Sequence, residues 1–480
     1  MAIKKFLNKF RKLPKAQEIA GVQEIDLYSL YQEYVMSDTF AWYEVGERYY
    51  KGQNDILYRS MYKVVDGSKV LDTSQPNNKL NHCFMKTLVD QKVDYVLGKP
   101  VKLTCENEQY LNEVQQILQE NDFDYILKRL GVQASNNGIA WLQCYIDDKG
   151  KFKFIPISAK QIIPLWADDL HTSLKAVIRV YNVKATNSLE SNQLNTILEY
   201  WTDTGYRQFT IQGKTLANFS ANTILGADDG NHVGEIPHYL VNGKPFSFGK
   251  VPFIPFKNNF DEFADVRYVK NLIDNYDLTR SDLGNALEQL RNFIIVLENA
   301  QGTDLEELLN NLKLYGVLKT QNVDGTGSKA SMMSNPIECQ ASQEHSQTLK
   351  ENIIELLQGV NMNLDFKAPP SGIALQLLYR GLDIKANGFE AEFRHAFKEL
   401  QYFIAHALNV VNNDIIDIQF QRDLPTNTAE QIQNIKNSQG TISNETLWEN
   451  HPMVKDVELE KKRFANENKD HEFKKIPYGF

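Results

Sequence analysis

Cysteine, long apolar runs and excess positive charge are all scarce in this chain. Its 480 residues contain four cysteines, scattered at positions 83, 105, 144 and 339 with no Cys-x-x-Cys pair. This spacing argues against a metal finger and a disulfide framework, and it fits a reducing cytoplasm. No run approaches the ~20 apolar residues of a membrane span, so no membrane partner is expected. Met1–Lys12 is basic and amphipathic but lacks the apolar core of a signal peptide.

The charge balance is acidic. Lys and Arg number 52 against 61 Asp and Glu, which gives a net charge of −9. A tight nucleic-acid binder normally carries a basic face, so this class is disfavoured. The same charge fits a surface along which a polyanion slides without sticking, and it also fits a protein that only needs to stay soluble.

The motifs of nucleotide hydrolysis are incomplete. A phosphate loop needs the spacing Gly-x-x-x-x-Gly-Lys-Ser/Thr, in which the hydroxyl holds magnesium. Three of the Gly-Lys pairs, Gly98-Lys99, Gly243-Lys244 and Gly249-Lys250, lack this spacing and are each followed by Pro or Val. No serine or cysteine has convincing His and acid partners in order. We therefore predict no catalytic residue and no cofactor.

Carboxylates offer the only metal-site candidates. Glu392-x-x-His395, with Glu399 one turn on, is a single motif where a di-metal bundle needs two, so an ion-paired surface is the better interpretation. Three Asp pairs lie in turn-like sequence, where Asp bonds to nearby backbone. They are Asp147-Asp148, Asp168-Asp169 and Asp228-Asp229. No metal ligand is predicted, and a metal-dependent nuclease that uses these pairs is kept as an alternative.

Apolar periodicity predicts an α+β chain. Helices are expected over 28–42, 84–97 and 110–130, the second with an apolar stripe that begins at Leu80 and a stop at Gly98 and Pro100. His82 is assigned to this stripe. Short strands are expected over 139–146, 152–157, 177–183, 196–201 and 206–211, and the run 253–259 closes this block.

Helix dominates the second half. A helix over 266–290 precedes a mixed insert over 293–335, and a second helix covers 343–359. Pro369-Pro370 keeps the loop 361–372 non-helical. A very long pattern over 373–408 is expected to be interrupted at Gly381 and Gly388, because glycine weakens a helix by about 1 kcal/mol relative to alanine.

This serial order resembles the portal proteins of tailed bacteriophages. The resemblance begins with Asn77-Asn78-Lys79, an apolar-striped helix and Leu97-Gly98-Lys99-Pro100, and continues at Ile155-Pro156-Ile157 and from Val251-Pro252-Phe253 to Asn258-Asn259. It then follows the order long helix, small insert, helix, Pro-containing loop and long helix, and covers roughly residues 30 to 465. It implies a mainly helical portal fold with long stem helices, a β-rich wing, a small α/β clip and a helical crown.

The resemblance divides the chain into family regions. They are an N-terminal arm (1–27, expected to be mobile), the wing (28–265, β-rich over 138–260), a stem helix (266–292), the clip (293–335), a second stem helix (336–360), the tunnel loop (361–372), the long kinked helix that returns to the wing (373–427), the crown (428–465) and a tail (466–480).

The resemblance also implies functional residues. The tunnel loop would approach DNA through Asn361, Asn363, Asp365, Lys367 and Pro369. The stem would face the channel with Lys270, Asp274, Asp277 and Glu288. The clip would bind partners through Asp304, Glu306, Asp324, Gly325 and Lys329.

The implied function is a passive DNA channel at one capsid vertex of the virion, assembled in the host cytoplasm. The implied partners are further copies of the chain in a ring, dodecameric in this family, weakly and non-specifically bound double-stranded DNA, the terminase large subunit, the head–tail connector, and the scaffold and major capsid proteins. Besides the nuclease, a helical cytoplasmic scaffold remains an alternative.

Overall fold

The computed structural model describes residues 24–184, 194–212, 215–218, 235–241, 243–289, 294–298, 329–333, 339–361, 372–410, 414–422, 428–454 and 456–473. It confirms the mixed α+β class. The chain divides into two compact units. One is formed by the described parts of Met1–Asp90 and Val132–Leu357, and the other by those of Gln91–Gly131 and Gln358–Phe480. No helix in the described ranges is both long and apolar enough to cross a membrane.

Eleven α-helices lie in the described ranges. In chain order they are α1 (Glu24–Val35), α2 (Asp38–Tyr50), α3 (Phe84–Leu97), α4 (Glu108–Glu120), α5 (Phe123–Asn137), α6 (Val266–Gln289), α7 (Cys339–Leu356), α8 (Gly372–Ala407), α9 (Thr428–Asn437), α10 (Asn444–Glu449) and α11 (Val457–Phe473).

Seventeen strands lie in the same ranges. They are β1 (Tyr62–Val65), β2 (Ser68–Leu71), β3 (Lys102–Thr104), β4 (Ile139–Ile146), β5 (Phe152–Ile157), β6 (Ile162–Trp166), β7 (Leu174–Lys184), β8 (Leu194–Trp201), β9 (Gly205–Gln212), β10 (Thr215–Asn218), β11 (Ile236–Pro237), β12 (Tyr239–Val241), β13 (Lys244–Phe246), β14 (Phe253–Lys257), β15 (Ile294–Glu298), β16 (Lys329–Met333) and β17 (Asp417–Gln419).

Two antiparallel sheets form the core of the first unit. One has the order β14-β4-β5, and the other has the order β10-β9-β8-β7-β6 with β11 paired to β9. Because side chains alternate across a strand, Ile162 and Val177 pack with Trp141 on one face, while Ile163 and Ile178 pack with α1 on the other. The larger sheet is therefore buried on both faces.

The second unit is built on the C-terminal part of α8. Its buried residues recur at steps of three and four, as one helix face requires. They are Leu382, Ala386, Phe389, Phe393, Ala396, Phe397, Leu400, Phe403 and Ile404. Phe397 packs on Phe123 of α5, and the two-stranded sheet β17-β3 lies in the same unit.

A polar cluster joins the loop after β17 to α8 within this unit. The Arg422 guanidinium donates to Asp383 and Asn387, and one of its nitrogens lies 3.3 Å from Glu390. The Tyr95 hydroxyl donates to Asp383 at 2.6 Å. Burial, and then the bond to this carboxylate, raise the pKa of Tyr95, so the phenol stays protonated.

Several predicted elements are confirmed and others are corrected. Helix α3 and strands β4 and β5 have the predicted ends, whereas β14 ends at Lys257, two residues before the end of the predicted run. The predicted helix 28–42 is two helices, because Ser37 caps α2 by accepting from the Phe40 amide at 3.2 Å. The predicted helix 110–130 breaks at Asn121-Asp122, where Asp122 has φ 51°. Neither Gly381 nor Gly388 interrupts α8, which is one helix of 36 residues.

Two regions predicted to carry function lie largely outside the described residues. For the clip, only β15 and β16 are described, paired antiparallel from Ile294↔Met333 to Glu298↔Lys329. For the tunnel loop, only the two ends, Asn361 and Gly372, are described. The N-terminal arm is described from Glu24 onward, and the tail as far as Phe473.

We expect Gly138→Ala to destabilise the chain by about 3 kcal/mol or more, from backbone strain and overpacking together. Gly138 has φ 85°, and a Cβ there would lie 1.9 Å from the Glu262 carbonyl oxygen. Urea unfolding measures the loss. The matched control is Gly150→Ala, which has φ 76° but open space around it and should lose only about 1 kcal/mol. Equal losses in the two variants would contradict the close-approach argument.

Candidate functional site

An extended segment before α3 lies along α6 and is bound by its side chains. We call this segment, Asn78–His82, the strap. Its alternate backbone amides donate to acceptors one helical turn apart on α6. Asn78 donates to Asn285 Oδ1 at 2.6 Å, Leu80 to Ser281 Oγ at 2.9 Å, and His82 to Asp277 Oδ1 at 3.1 Å.

The repeat of an extended chain and the repeat of a helix match closely enough for these three hydrogen bonds to form. We call the three bonds the ladder. Every second amide of an extended chain points to the same side, at a spacing of about 6.6 Å. Residues four apart on a helix are separated by about 6.0 Å along the axis. Asp277, Ser281 and Asn285 therefore keep step with three amides of the strap. All three side chains are buried.

Asp277 is the most enclosed member of the ladder. Its side chain is 0% exposed, and its carboxylate accepts from the Asn54 amide at 2.7 Å as well as from the His82 backbone. Nδ1 of His82 lies 2.8 Å from the same carboxylate. The Tyr276 ring packs edge-on against both His82 and Phe84. A buried carboxylate needs such donors, because an unpaired charge is costly to desolvate.

The first turns of α6 make a second polar cluster. The Lys270 ammonium lies between Asp55, at 2.6 Å, and Asp274, at 2.7 Å. The Tyr49 hydroxyl also donates to Asp274. Burial would lower the pKa of Lys270, but the bonds to Asp274 and Asp55 outweigh it and raise the pKa. Burial, and then Asp274, raise the pKa of Tyr49.

The last turns of α6 bind Arg59, which precedes the strap, and the side chain of Asn78, the first residue of the strap. Arg59 forms an ion pair with Asp282 at 2.7 Å. The Asn78 side-chain amide donates to Glu288 at 2.9 Å, and the Asn77 amide donates to the Arg59 carbonyl at 3.2 Å. Residues 49–59 and 78–82 therefore contact α6 along most of its length.

This packing revises the predicted stem channel face. Lys270, Asp274 and Asp277 bond within their own protomer, and Asp277 has no exposed surface. The prediction is wrong for Asp277, because a fully enclosed side chain cannot face a channel. Glu288 is exposed, although it binds Asn78. A neighbouring side of α6 is open, and it carries Tyr268, Asn271, Asn275, Leu278 and Asp282.

The structure also corrects the sequence reading before α3. The helix starts at Phe84, so Leu80 and His82 belong to the extended strap and not to the helical stripe. The strap acceptors Ser281 and Asn285 were missed. Asp277, Ser281 and Asn285 recur at every fourth position, but a polar stripe that faces water has the same spacing, so the sequence alone does not identify them.

The turn interpretation of the described Asp pairs is confirmed. Asp147 accepts from the Lys149 and Lys151 amides, and Asp168 accepts from the Leu170, Thr172 and Ser173 amides. These backbone bonds lower both pKa values, chiefly the one from Lys151 for Asp147 and the one from Thr172 for Asp168. The pair Asp228-Asp229 lies outside the described residues.

The motif Glu392-x-x-His395 is not part of a metal cluster in the described ranges. No three His, Cys, Asp or Glu side chains there are placed to hold an ion. His395 is exposed and Glu392 half-buried on α8, where Arg394 pairs instead with Glu390 at 2.6 Å.

Most predicted partner-binding residues lie outside the described residues. This holds for Asn363, Asp365, Lys367 and Pro369 of the tunnel loop and for Asp304, Glu306, Asp324 and Gly325 of the clip. Asn361 is half-buried at the end of the described segment before the loop. Lys329 begins β16 opposite Glu298.

Comparison with known proteins gives a consistent result. A family model described as "Phage portal protein, SPP1 Gp6-like" matches residues 35–472. The portal protein of Clostridium phage phiCD119 is 30% identical over 432 residues, which cover 88% of this chain and 91% of that protein. The portal protein of Bacillus phage SPP1 is 29% identical over 433 residues, which cover 88% and 82%.

A solved structure of the neck of an empty GTA particle contains a chain that is similar at a TM-score of 0.45 and 12% identity, over 76% of this chain and 88% of that one. The family match spans nearly all of the described residues, including the strap, α6 and α8. This chain therefore belongs to the SPP1 Gp6-like family of phage portal proteins.

Proposed function

We propose that twelve copies of this portal protein close into one ring, in which the open side of α6 faces the channel and the loop 361–372 narrows it. The portal family forms an oligomeric ring at the capsid vertex of the virion, and DNA passes through its channel. The family is not one of enzymes, so the energy for packaging comes from another protein.

The match of the family model over residues 35–472 carries this proposal. The element order supports it: the 24-residue helix α6, the antiparallel strands β15 and β16, helix α7 and the 36-residue helix α8 follow one another in the chain. Strands β15 and β16 lie at the two ends of the insert between α6 and α7. Because they pair with each other, the insert begins and ends at neighbouring positions.

The proposed partners follow from this arrangement. The insert between β15 and β16 would dock the terminase large subunit during packaging and the head–tail connector afterwards. Scaffold and major capsid proteins would contact the ring during assembly of the shell. DNA would be bound weakly and without sequence preference, since a channel that lets DNA slide cannot hold each phosphate tightly.

The purified protein should form closed rings of about 660 kDa, twelve copies of the 55.1 kDa chain. A ring of identical subunits needs two different, complementary surfaces on each copy, and the exposed apolar side chains of α6 and α8 are available for them. Native mass spectrometry gives the copy number, and negative-stain images show whether a central hole is present. A protein that stays monomeric at micromolar concentration in all salt conditions would contradict the proposal.

Replacing Lys367 by Glu should leave rings intact but reduce DNA packaging or retention. Lys367 is the single cation of the sequence 361–372, and in a ring it would provide one phosphate contact per subunit. The readouts are packaged genome length and infectivity in a packaging-competent system. The control is Lys149→Glu, which makes the same charge change in the exposed turn between β4 and β5. If the Lys367→Glu and Lys149→Glu variants package the same genome length with the same infectivity, the placement of Lys367 in the channel is contradicted.

Replacing residues 324–328 by a neutral linker should leave rings intact but weaken binding of the terminase or the connector. The replacement stops before Lys329, because that residue begins β16 and its pairing with β15 should be kept. Ring mass and pull-down of each partner are measured on the same preparation. If rings and partner binding are lost together, the segment has a structural role and is not a docking site.

A further inference from the structure

The hairpin β1–β2 projects from the α6 region without burying any of its residues. Its strands pair antiparallel from Tyr62↔Leu71 to Val65↔Ser68, around a turn at Asp66-Gly67. Every residue from Tyr62 to Leu71 is exposed. An isolated two-stranded hairpin is only marginally stable in water, so a hairpin retained in this form needs a partner surface.

One face of the hairpin is mainly apolar, and the other is mixed. Paired residues share a face, so Tyr62, Val64 and Leu71 lie on one side, where they are 53%, 75% and 53% exposed. Val65 and Val70, which are 43% and 44% exposed, lie on the other side together with Lys63 and Ser68. An arm with one mainly apolar face and two open edges is suited to pack on an apolar surface or to pair along an edge.

The charges of the hairpin do not attract a charged partner. The segment 62–72 has two lysines and two aspartates, so its net charge is zero. Lys63 lies 3.7 Å from Asp72, and the Lys69 ammonium lies 4.2 Å from the Tyr62 ring centroid. With both cations engaged, the hairpin offers little to DNA phosphates, and its partner should be apolar.

The base of the hairpin is held firmly on α6. On the side before β1, Arg59 pairs with Asp282. On the side after β2, Asn78 bonds to Asn285 and Glu288. The Asn77 amide joins the two sides through the Arg59 carbonyl. The arm therefore keeps a defined position, which reduces the entropy lost on docking.

We infer that the hairpin Tyr62–Leu71 is an assembly arm that docks on a neighbouring copy of this chain in the ring. The inference rests on the proposed ring, in which each subunit meets its neighbours through two different surfaces. The described chain supplies the apolar surface that such an arm needs. Ile373 and Leu377 of α8 are 69% and 67% exposed.

The first experiment is photo-crosslinking from position 64 in purified full-length rings. Val64 is replaced by p-benzoylphenylalanine, and ¹⁴N- and ¹⁵N-labelled subunits are mixed before assembly. The inference expects crosslinked dimers with peptides of mixed label. The same probe at Lys149, in the exposed turn of another hairpin, is the control and should give fewer dimers. Crosslinks within one label only, or in assembled particles to a different protein in place of a second copy, would overturn the inference.

The second experiment compares Val64→Asp with Ser68→Asp. Both add one negative charge to the exposed hairpin, but only the first places it on the apolar face. We expect Val64→Asp to raise the protein concentration needed for half-assembly at least tenfold, with Ser68→Asp much closer to wild type. Monomer melting temperature should be equal in both, since neither side chain is buried. Sedimentation and mass photometry measure assembly.

The outcomes separate the inference from the proposed function. If the wild-type protein forms no rings, the proposed function is wrong and the inference falls with it. If wild-type and Val64→Asp proteins form rings equally well, only the inference is wrong. A lower monomer melting temperature in Val64→Asp would also overturn it, because the hairpin would then pack within its own chain.

Discussion

The first unit depends on one interaction between an extended segment and a helix. Asp277, Ser281 and Asn285 of α6 accept three alternate amides of the strap, at distances between 2.6 and 3.1 Å. Side chains take the place of a neighbouring strand here, which lets an extended segment be buried without a sheet. Because buried acceptors left without donors cost free energy, the register of the strap on α6 is fixed at both ends. That register places Asn54 and Arg59 before the strap and helix α3 after it.

The same interaction explains why the polar face of α6 was wrongly predicted to line the channel. A polar stripe on an amphipathic helix usually faces water, and the sequence contains nothing that distinguishes it from a stripe that binds backbone. Lys270 and Asp274 are equally uninformative, because their partners Tyr49 and Asp55 lie more than 200 residues away in the chain. The strap sequence is part of the resemblance to the family, but its role in binding α6 depends on contacts with residues about 200 positions away in the chain.

Elements whose ends are set by local chemistry were predictable. Helix α3 ends at Leu97, before Gly98, and the β4–β5 hairpin turns on Asp147, which accepts two backbone amides. Breaks that depend on a single residue were not. Ser37 looks like any helical serine until its side chain caps α2. In α8 the opposite error occurred: Gly388 costs about 1 kcal/mol against alanine, but nine buried side chains on one face outweigh it.

The electrostatics of a channel cannot be read from the net charge of the chain. Asp274 is neutralised by Lys270, Asp277 is enclosed by its donors, and Asp282 pairs with Arg59. The two acids paired with cations, Asp274 and Asp282, add to the net charge of −9 but add little to the field outside the protein. The open side of α6 carries two amides, Asn271 and Asn275, between Tyr268 and Leu278. If the proposed ring turns this side toward DNA, the walls would be nearly neutral there. Such a wall would neither bind phosphates nor repel them strongly, so sliding would follow from the lack of fixed contacts and not from acidic repulsion.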